Sequence, residues 1–340
     1  MKARIFGAGS IGNHLSNALR KLNYEIELVD IDKSALDRTK NEIYPSRYGK
    51  WDKSIKLLTL PSEDFVDLEI IGTPPDTHAN ILLERLKQNK SRYWLVEKPF
   101  TIPSQTHIEE LERKIGKFKD SIFVGYNHSV SPAFKSLIED INKCNNPTKI
   151  SCTWEEHWGG IFNAHPWLDG PKDSYLGFKN RGGGALMEHS HGIHLLTILF
   201  DIFNFKINEL KASVILDKEQ NYDEKTYVAF NFKNSDALSF YSTDVITKNV
   251  KKSLEIEADN QLFSLTFGSD NGTNDTYIKK TKSNQIIKKF SKTRADDFIY
   301  EMKLLDELIK DKKRDAFLKN ISCEKALKVA LICANIFDNS

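Results

Sequence analysis

Two hydrophobic rhythms follow one another along the chain. Up to residue 128, short, mainly apolar runs alternate with stretches at helical spacing. The runs lie at residues 3–6, 26–29, 68–71, 94–96 and 122–124. Leu15, Ala18, Leu19 and Leu22, and later Ala79, Leu82, Leu83 and Leu86, recur at the spacing of one helix face. A strand that is apolar without alternation is covered on both sides, and strands separated by helices build βαβ units. The pattern therefore predicts a parallel sheet with helices on both faces. A less regular stretch between residues 45 and 61 carries no assigned element.

From residue 148 onward the period shortens to two. Leu254, Ile256 and Ala258 alternate with Glu255, Glu257 and Asp259, and Val228, Phe230 and Phe232 repeat the pattern. Strands of this kind bury one face and wet the other, which predicts a large open, mainly antiparallel sheet. Two helices follow. One carries Phe298, Met302, Leu305 and Ile309; the other starts after Ser322 as N-cap and carries Leu327, Leu331 and Ala334. At 340 residues the chain exceeds the roughly 250–300 that one core serves. The expected division is an α/β nucleotide-type domain over residues 1–128 and an α+β domain over residues 129–340.

Composition narrows the function classes. Lys and Arg number 49 against 47 Asp and Glu, a net charge of +2 that gives no global drive toward nucleic acid or an anionic membrane. No apolar run approaches the roughly 18 residues of a membrane span. The opening MKARIFGAGS enters a strand without the features of a secretory signal, so a cytoplasmic protein is expected. Four cysteines without a C-x-x-C pair read as reduced thiols.

Gly7-Ala8-Gly9-Ser10-Ile11-Gly12 follows the first strand, opens a helix, and is answered by Asp30 at the end of the second strand. In that setting the glycines serve the tight turn, the approach of a pyrophosphate and close helix–strand packing. The amides of Ser10 and Ile11 belong to a helix N-terminus that favours anions. Asp30 can accept both ribose hydroxyls, and its charge disfavours a 2′-phosphate; Ile31 follows it without an arginine. The expected cofactor is NAD, with NADP less favoured.

Further motifs follow at the strand ends: Thr73-Pro74-Pro75 with His78, Glu97-Lys98-Pro99, Gly125-Tyr126-Asn127-His128, and Gly182-Gly183-Gly184 leading to Glu188, His189, His191 and His194. In combination they resemble the glucose–fructose oxidoreductase, inositol dehydrogenase and rhizopine-catabolism family (Gfo/Idh/MocA). The resemblance implies a Rossmann NAD-binding domain and a second domain whose sheet packs in a homodimer or homotetramer. Thr73, Pro74, Pro75, His78, Glu97 and Asn127 then border the cofactor. Lys98 lies between nicotinamide and substrate, and Glu188 and His191 finish the site. The sequence departs from the commoner pattern: Glu188 replaces an Asp, three steps rather than four separate it from the histidine, His194 stands where a second Asp is frequent, and His128 replaces an arginine.

The residues themselves support catalysis. On a continuous helix Glu188 and His191 share a face, and a carboxylate beside an imidazole suits a general base. A zinc site from Glu188, His189, His191 and His194 lacks a recognised ligand spacing, so no metal is expected. His165, Trp167, Tyr175 and Arg181, with His128, are candidate contacts to a hydroxyl-rich ligand; Trp154 and Trp158 read as core aromatics. The activity expected is hydride transfer between NAD and a secondary alcohol of a sugar, nucleotide-sugar or cyclitol, with Lys98 stabilising the oxygen and His191 taking its proton. An NAD-dependent glycosidase with transient redox and a non-catalytic NAD-sensing protein are the alternatives.

Overall fold

Each mainly apolar run becomes a strand of one parallel sheet: β1 (Lys2–Phe6), β2 (Glu25–Val29), β4 (Val66–Ile71), β5 (Ser91–Val96) and β6 (Ile122–Val124). The sixth strand, β3 (Ile55–Leu58), lies at the sheet edge inside the stretch that showed no pattern. Its signal is faint because the strand has four residues and only Ile55 is buried. The order is β3-β2-β1-β4-β5-β6. The chain reverses its direction of travel between β1 and β4, and ligands of such sheets bind at that switch, beyond the carboxyl ends of the strands. The computed structural model describes residues 1–163, 165, 167–311 and 315–340.

Charge is buried inside this sheet as well. Arg4 is fully buried and donates to Glu27 at 2.7 Å and to Glu69 at 2.7 Å, while Arg85 and the Trp94 indole donate to Glu69 at 2.7 and 3.0 Å. Such a network holds only with every member satisfied, so removing one arginine leaves a carboxylate stranded.

The second sheet has eight strands: β7 (Pro147–Glu155), β8 (Ile207–Leu216), β9 (Asp223–Phe232), β10 (Ser235–Asp244), β11 (Lys251–Ala258), β12 (Gln261–Gly268), β13 (Asn274–Lys280) and β14 (Gln285–Ser291). Their order is β14-β13-β12-β11-β7-β10-β9-β8, and every neighbouring pair is antiparallel except β7 with β10. Val228, Phe230, Leu254 and Ile256 fill the covered face, against which helix His191–Ile202 packs. The other face leaves Ile215, Tyr227, Leu238, Phe240 and Leu262 exposed. Tyr241 lies opposite Phe240 in the pleat and is buried, its hydroxyl donating to the His189 carbonyl at 2.7 Å. Alternation alone assigns Tyr227 and Tyr241 to one face; the register puts Tyr227 beside Ser242 and so separates them.

Two compact units result. The first comprises residues 1–101, 109–127 and 294–326, the second residues 102–108, 128–293 and 327–340. A contiguous cut at residue 128 therefore misses the return of residues 294–326 to the first unit. Helix Arg294–Asp311 packs on helix Ser10–Lys21, where Phe298 stacks on His14 at 4.7 Å, and Tyr24 donates to Asp306 at 3.0 Å. Helical periodicity in the sequence identifies this apolar face but not the surface that receives it.

Candidate active site

In the first unit the glycine turn has three separate physical reasons. Gly7 has φ +102°, and a Cβ there would stand 2.6 Å from the Gly72 carbonyl oxygen. A Cβ on Gly12 would stand 2.1 Å from the Gly7 carbonyl oxygen. A Cβ on Gly9 would meet nothing within 4 Å. The first and third glycines thus serve the protein's own packing, whereas the second borders open space. Gly9 is also the N-cap of helix Ser10–Lys21, which has no capping side chain and no acidic residue in its first turn. Uncapped amides beside open space fit the pyrophosphate of a dinucleotide.

Asp30 is held over that turn. One carboxylate oxygen accepts the Ala8 amide at 2.8 Å and the other the Asp32 amide at 2.9 Å. Each oxygen keeps a further acceptor site for a ribose hydroxyl. Ile31 beside it is 89% exposed, an apolar surface that fits an adenine ring. Arg47, which sequence reasoning passed over, donates to the Ser10 carbonyl at 3.2 Å and hydroxyl at 3.0 Å, bringing a guanidinium to the same helix end.

The neighbouring strand ends are stitched together by main-chain bonds: Gly72 to Phe6 at 2.8 Å, Glu97 to Ile71 at 2.9 Å and Gly125 to Val96 at 2.8 Å. Thr73 and Pro74 project from the end of β4, and Pro75 opens helix Pro75–Gln88. His78 is fully enclosed, with Nε2 2.7 Å from the Thr73 carbonyl oxygen and Nδ1 3.0 Å from that of Pro99. Burial pushes its imidazole down to about 4 against the pull of those carbonyls. His78 therefore clamps two loops, those that carry Thr73 and Pro99.

Glu97 is buried, and a Cβ on Gly125 would fall 2.7 Å from its carboxylate. The glycine of the G-Y-N-H segment is there to make room for the acid of E-K-P. Glu301 lies fully buried on the returning helix; burial first, then the nearby Glu97 and Asp297 carboxylates, push its carboxyl well up. Lys98, half-buried, follows Glu97 at the carboxyl edge of the sheet. Asn127 Oδ1 is buried without a partner among the described residues.

In the second unit, the glycine-rich segment is moulded onto β9 and β10. Gly184 has φ +89°, and a Cβ there would lie 2.1 Å from Asp223 Oδ1. Helix Ala185–Glu188 ends at His189, and a new helix, His191–Ile202, begins after Ser190. The continuous helix expected through Glu188 and His191 is thus broken between them, at His189 and Ser190. Thr243 fixes the break: its hydroxyl lies 2.9 Å from His189 Nδ1 and 3.4 Å from the Ala185 carbonyl.

His191 sits in an aromatic cage. Its ring stacks on Trp154 with centroids 5.4 Å apart and meets His128 edge-on at 4.7 Å; Phe267 closes on both Trp154 and His128. Trp154 is buried, as its reading as a core aromatic expects, and it is also the plate on which His191 rests. Trp158, also read as core, is only partly buried, stacked on Phe162 and edge-on to Tyr222 at the margin of a core cluster. His165 Nδ1 is 2.9 Å from the Ile161 carbonyl oxygen, and its ring meets Trp167 edge-on at 5.4 Å; Tyr175 packs on the cluster of Ile161, Leu176 and Tyr222. Arg181 lies on the short helical turn Lys179–Arg181 before Gly182. His194 is buried one turn beyond His191. Among the described residues no three His, Cys, Asp or Glu side chains converge as metal ligands, and no helix is long and apolar enough to cross a membrane.

Comparison with known proteins adds an independent line. Residues 1–126 match the sequence model of the Gfo/Idh/MocA family, described as an oxidoreductase family with an NAD-binding Rossmann fold. No curated protein matches the chain. Solved structures do. A UDP-N-acetylglucosamine 3-dehydrogenase from Acidithiobacillus ferrooxidans superposes with a TM-score of 0.72 at 12% identity, covering 100% of this chain and 97% of that one. A levoglucosan dehydrogenase in complex with NADH gives 0.76 at 13%, covering 100% and 96%. A myo-inositol dehydrogenase from Corynebacterium glutamicum gives 0.71 at 16%, again covering 100% and 96%. At these identities the likeness establishes the two-domain fold.

Proposed function

We propose, from the match of residues 1–126 to the Gfo/Idh/MocA oxidoreductase family model, that this chain oxidises a secondary alcohol of a sugar, nucleotide-sugar or cyclitol with NAD. The observation that carries this reading is the position of Lys98. It puts an ammonium at the carboxyl end of β5, one strand from the β1/β4 switch where the glycine turn opens. NAD, when bound, supplies the hydride acceptor. As the alcohol is oxidised, negative charge grows on its oxygen, and Lys98 stabilises that charge. His191 takes the hydroxyl proton, and Glu188, one short turn away, supports it. Stacking on Trp154 holds the His191 ring in one orientation and keeps water from that face. His128, edge-on to His191, is a candidate contact to the substrate.

The substrate class follows from the neighbours' named substrates, a nucleotide-sugar, an anhydrosugar and a cyclitol, all of which present ring hydroxyls. NAD is favoured over NADP because a 2′-phosphate would approach the Asp30 carboxylate. The exposed Tyr227, Leu238 and Phe240 on one side of the eight-stranded sheet support a homodimer formed through that face, with a homotetramer as the larger possibility. The test is NADH release on a panel of UDP-sugars, anhydrosugars and inositols, scored beside thermal shifts with each ligand. Turnover on at least one ring alcohol is expected. Stoichiometric NAD binding with no turnover across the panel would replace the enzyme by an NAD-sensing protein.

A further inference from the structure

The turn that carries Glu188 begins at a residue that cannot cap it. Gly184 occupies the N-cap position of helix Ala185–Glu188, has no side chain to accept an amide, and at φ +89° excludes the Ser, Thr, Asn or Asp that would. The missing acceptor comes from the neighbouring strand. Asp223 Oδ2, at the start of β9, accepts the Leu186 amide at 2.8 Å and the Thr226 hydroxyl at 2.7 Å. Its other oxygen has no partner among the described residues and fills the place where a side chain on Gly184 would begin. Asp223 is fully buried. A glycine with no room for a side chain and a buried carboxylate in that room form one device.

Tyr241 and Thr243 hold the rest of the segment through the His189 carbonyl, the His189 ring and the Ala185 carbonyl, and both are neutral hydroxyls. Asp223 is the one acidic anchor among these three contacts. Burial pushes its carboxyl up to about 7, opposed by the bonds from Thr226 and Leu186 and by Lys179. The titratable groups on the elements around it include Lys179 and Arg181 on the preceding turn, Glu188 and His189 on the turn it caps, Glu224 and Lys225 on its own strand, Tyr241 and Asp244 on β10, Asp217 after β8, and Cys333 on the last helix. Lys179 is the cation that draws it down.

We propose that Asp223 is the positioning residue of the candidate site, capping the 184–188 turn from the adjacent strand so that Glu188 and His191 stand in their working places only while its carboxylate is charged. The inference rests on the oxidoreductase reading for its consequence in catalysis, and on the turn itself for its structural content. A charged acceptor makes the stronger bond to the Leu186 amide, so protonation loosens the turn. Activity then falls on the acid side of neutrality for a reason outside His191.

Hydrogen exchange of the full-length protein reads the turn without needing turnover. Corrected for intrinsic rates, protection of the amides at 186–190 should fall about tenfold between about pH 8 and about pH 6, the change expected when a charge-assisted bond becomes a neutral one. Asp223→Asn keeps the size and the acceptor oxygen but removes the charge. It should show the low protection at both pH values, and its kcat/KM at about pH 8 should drop about tenfold to the acid level of the unmodified protein, with the acid limb near pH 7 flattened. Protection in the unmodified protein that does not change with pH overturns the proposal, whether or not the variant folds. So does an Asp223→Asn profile that superimposes on the original, which is what a purely steric role predicts. Protection that behaves as expected in a protein without turnover on any ring alcohol supports the Asp223 device and refutes the oxidoreductase reading instead.

Discussion

Replacing the glycines one at a time separates the turn's duty to a ligand from its duty to the fold. Gly9→Ala adds a methyl group into space where no protein atom lies within 4 Å, at a backbone conformation (φ −81°) that alanine adopts freely. Its cost to stability is that of an alanine for glycine at an N-cap, a few tenths of a kcal/mol to about 1. Because the methyl would occupy the open space assigned to the pyrophosphate, it should lower NAD affinity by about 10- to 100-fold, or about 1.4–2.7 kcal/mol. Gly12→Ala does the reverse. Its methyl would sit 2.1 Å from the Gly7 carbonyl oxygen, so backbone must move, at a cost of about 1–3 kcal/mol. At about 2–4 °C per kcal/mol, Gly12→Ala should lose several degrees in Tm while Gly9→Ala stays within about 4 °C of the parent. Calorimetric titration with NAD beside a thermal melt distinguishes the two. A Gly9→Ala protein that binds NAD like the parent would remove the basis for placing the pyrophosphate at this helix end.

Cofactor choice should follow Asp30: Asp30→Ser narrows the preference for NAD over NADP, by weakening the first and relieving repulsion of the second, and equal affinities in the unmodified protein would contradict the assignment. His78 sets a pH-dependent stability. Its folded pKa, near 4, lies below the ordinary 6.5, so its contribution is present above pH 6.5 and is lost as pH falls toward 4. That difference amounts to about 3 kcal/mol at 1.36 kcal/mol per unit; chemical denaturation of His78→Gln should show a correspondingly shallower loss between those limits, and parallel pH curves would count against it. Phe240→Lys puts a charge in the middle of the exposed apolar face and should convert an oligomer to a monomer by light scattering without changing the melt; a monomeric parent would refute the proposed face.

The nucleotide half of the fold was legible because its strands are buried on both sides and its glycines have local causes. Gly7 and Gly12 are required by backbone approach within the first unit itself, and Asp30 by the turn it overhangs. The alternation of Val228, Phe230 and Phe232 likewise reported a half-buried strand. What sequence could not supply is pairing at a distance. The edge strand β3 has too few buried residues to leave a pattern, and nothing in the spacing of Phe298 and Met302 says that their helix returns to His14. The same holds at the site. Trp154 and Asp223 look like ordinary sheet residues until the register of β7 and β9 brings one under His191 and the other under Gly184. The break at His189 was hidden because every residue from Ala185 to Leu199 is compatible with a helix; the bonds from Tyr241 and Thr243 impose it.

The central claim is that Lys98 stabilises charge on the substrate oxygen. It is tested most directly by Lys98→Met, which keeps most of the side chain's length and removes its ammonium, measured on the best substrate from the ring-alcohol panel. NAD affinity should stay within a few-fold while kcat falls by about 10²–10⁴, the scale of a lost oxyanion-stabilising group. A variant that keeps more than about a tenth of the parent's kcat, a loss of less than one 1.36 kcal/mol step, would contradict the account.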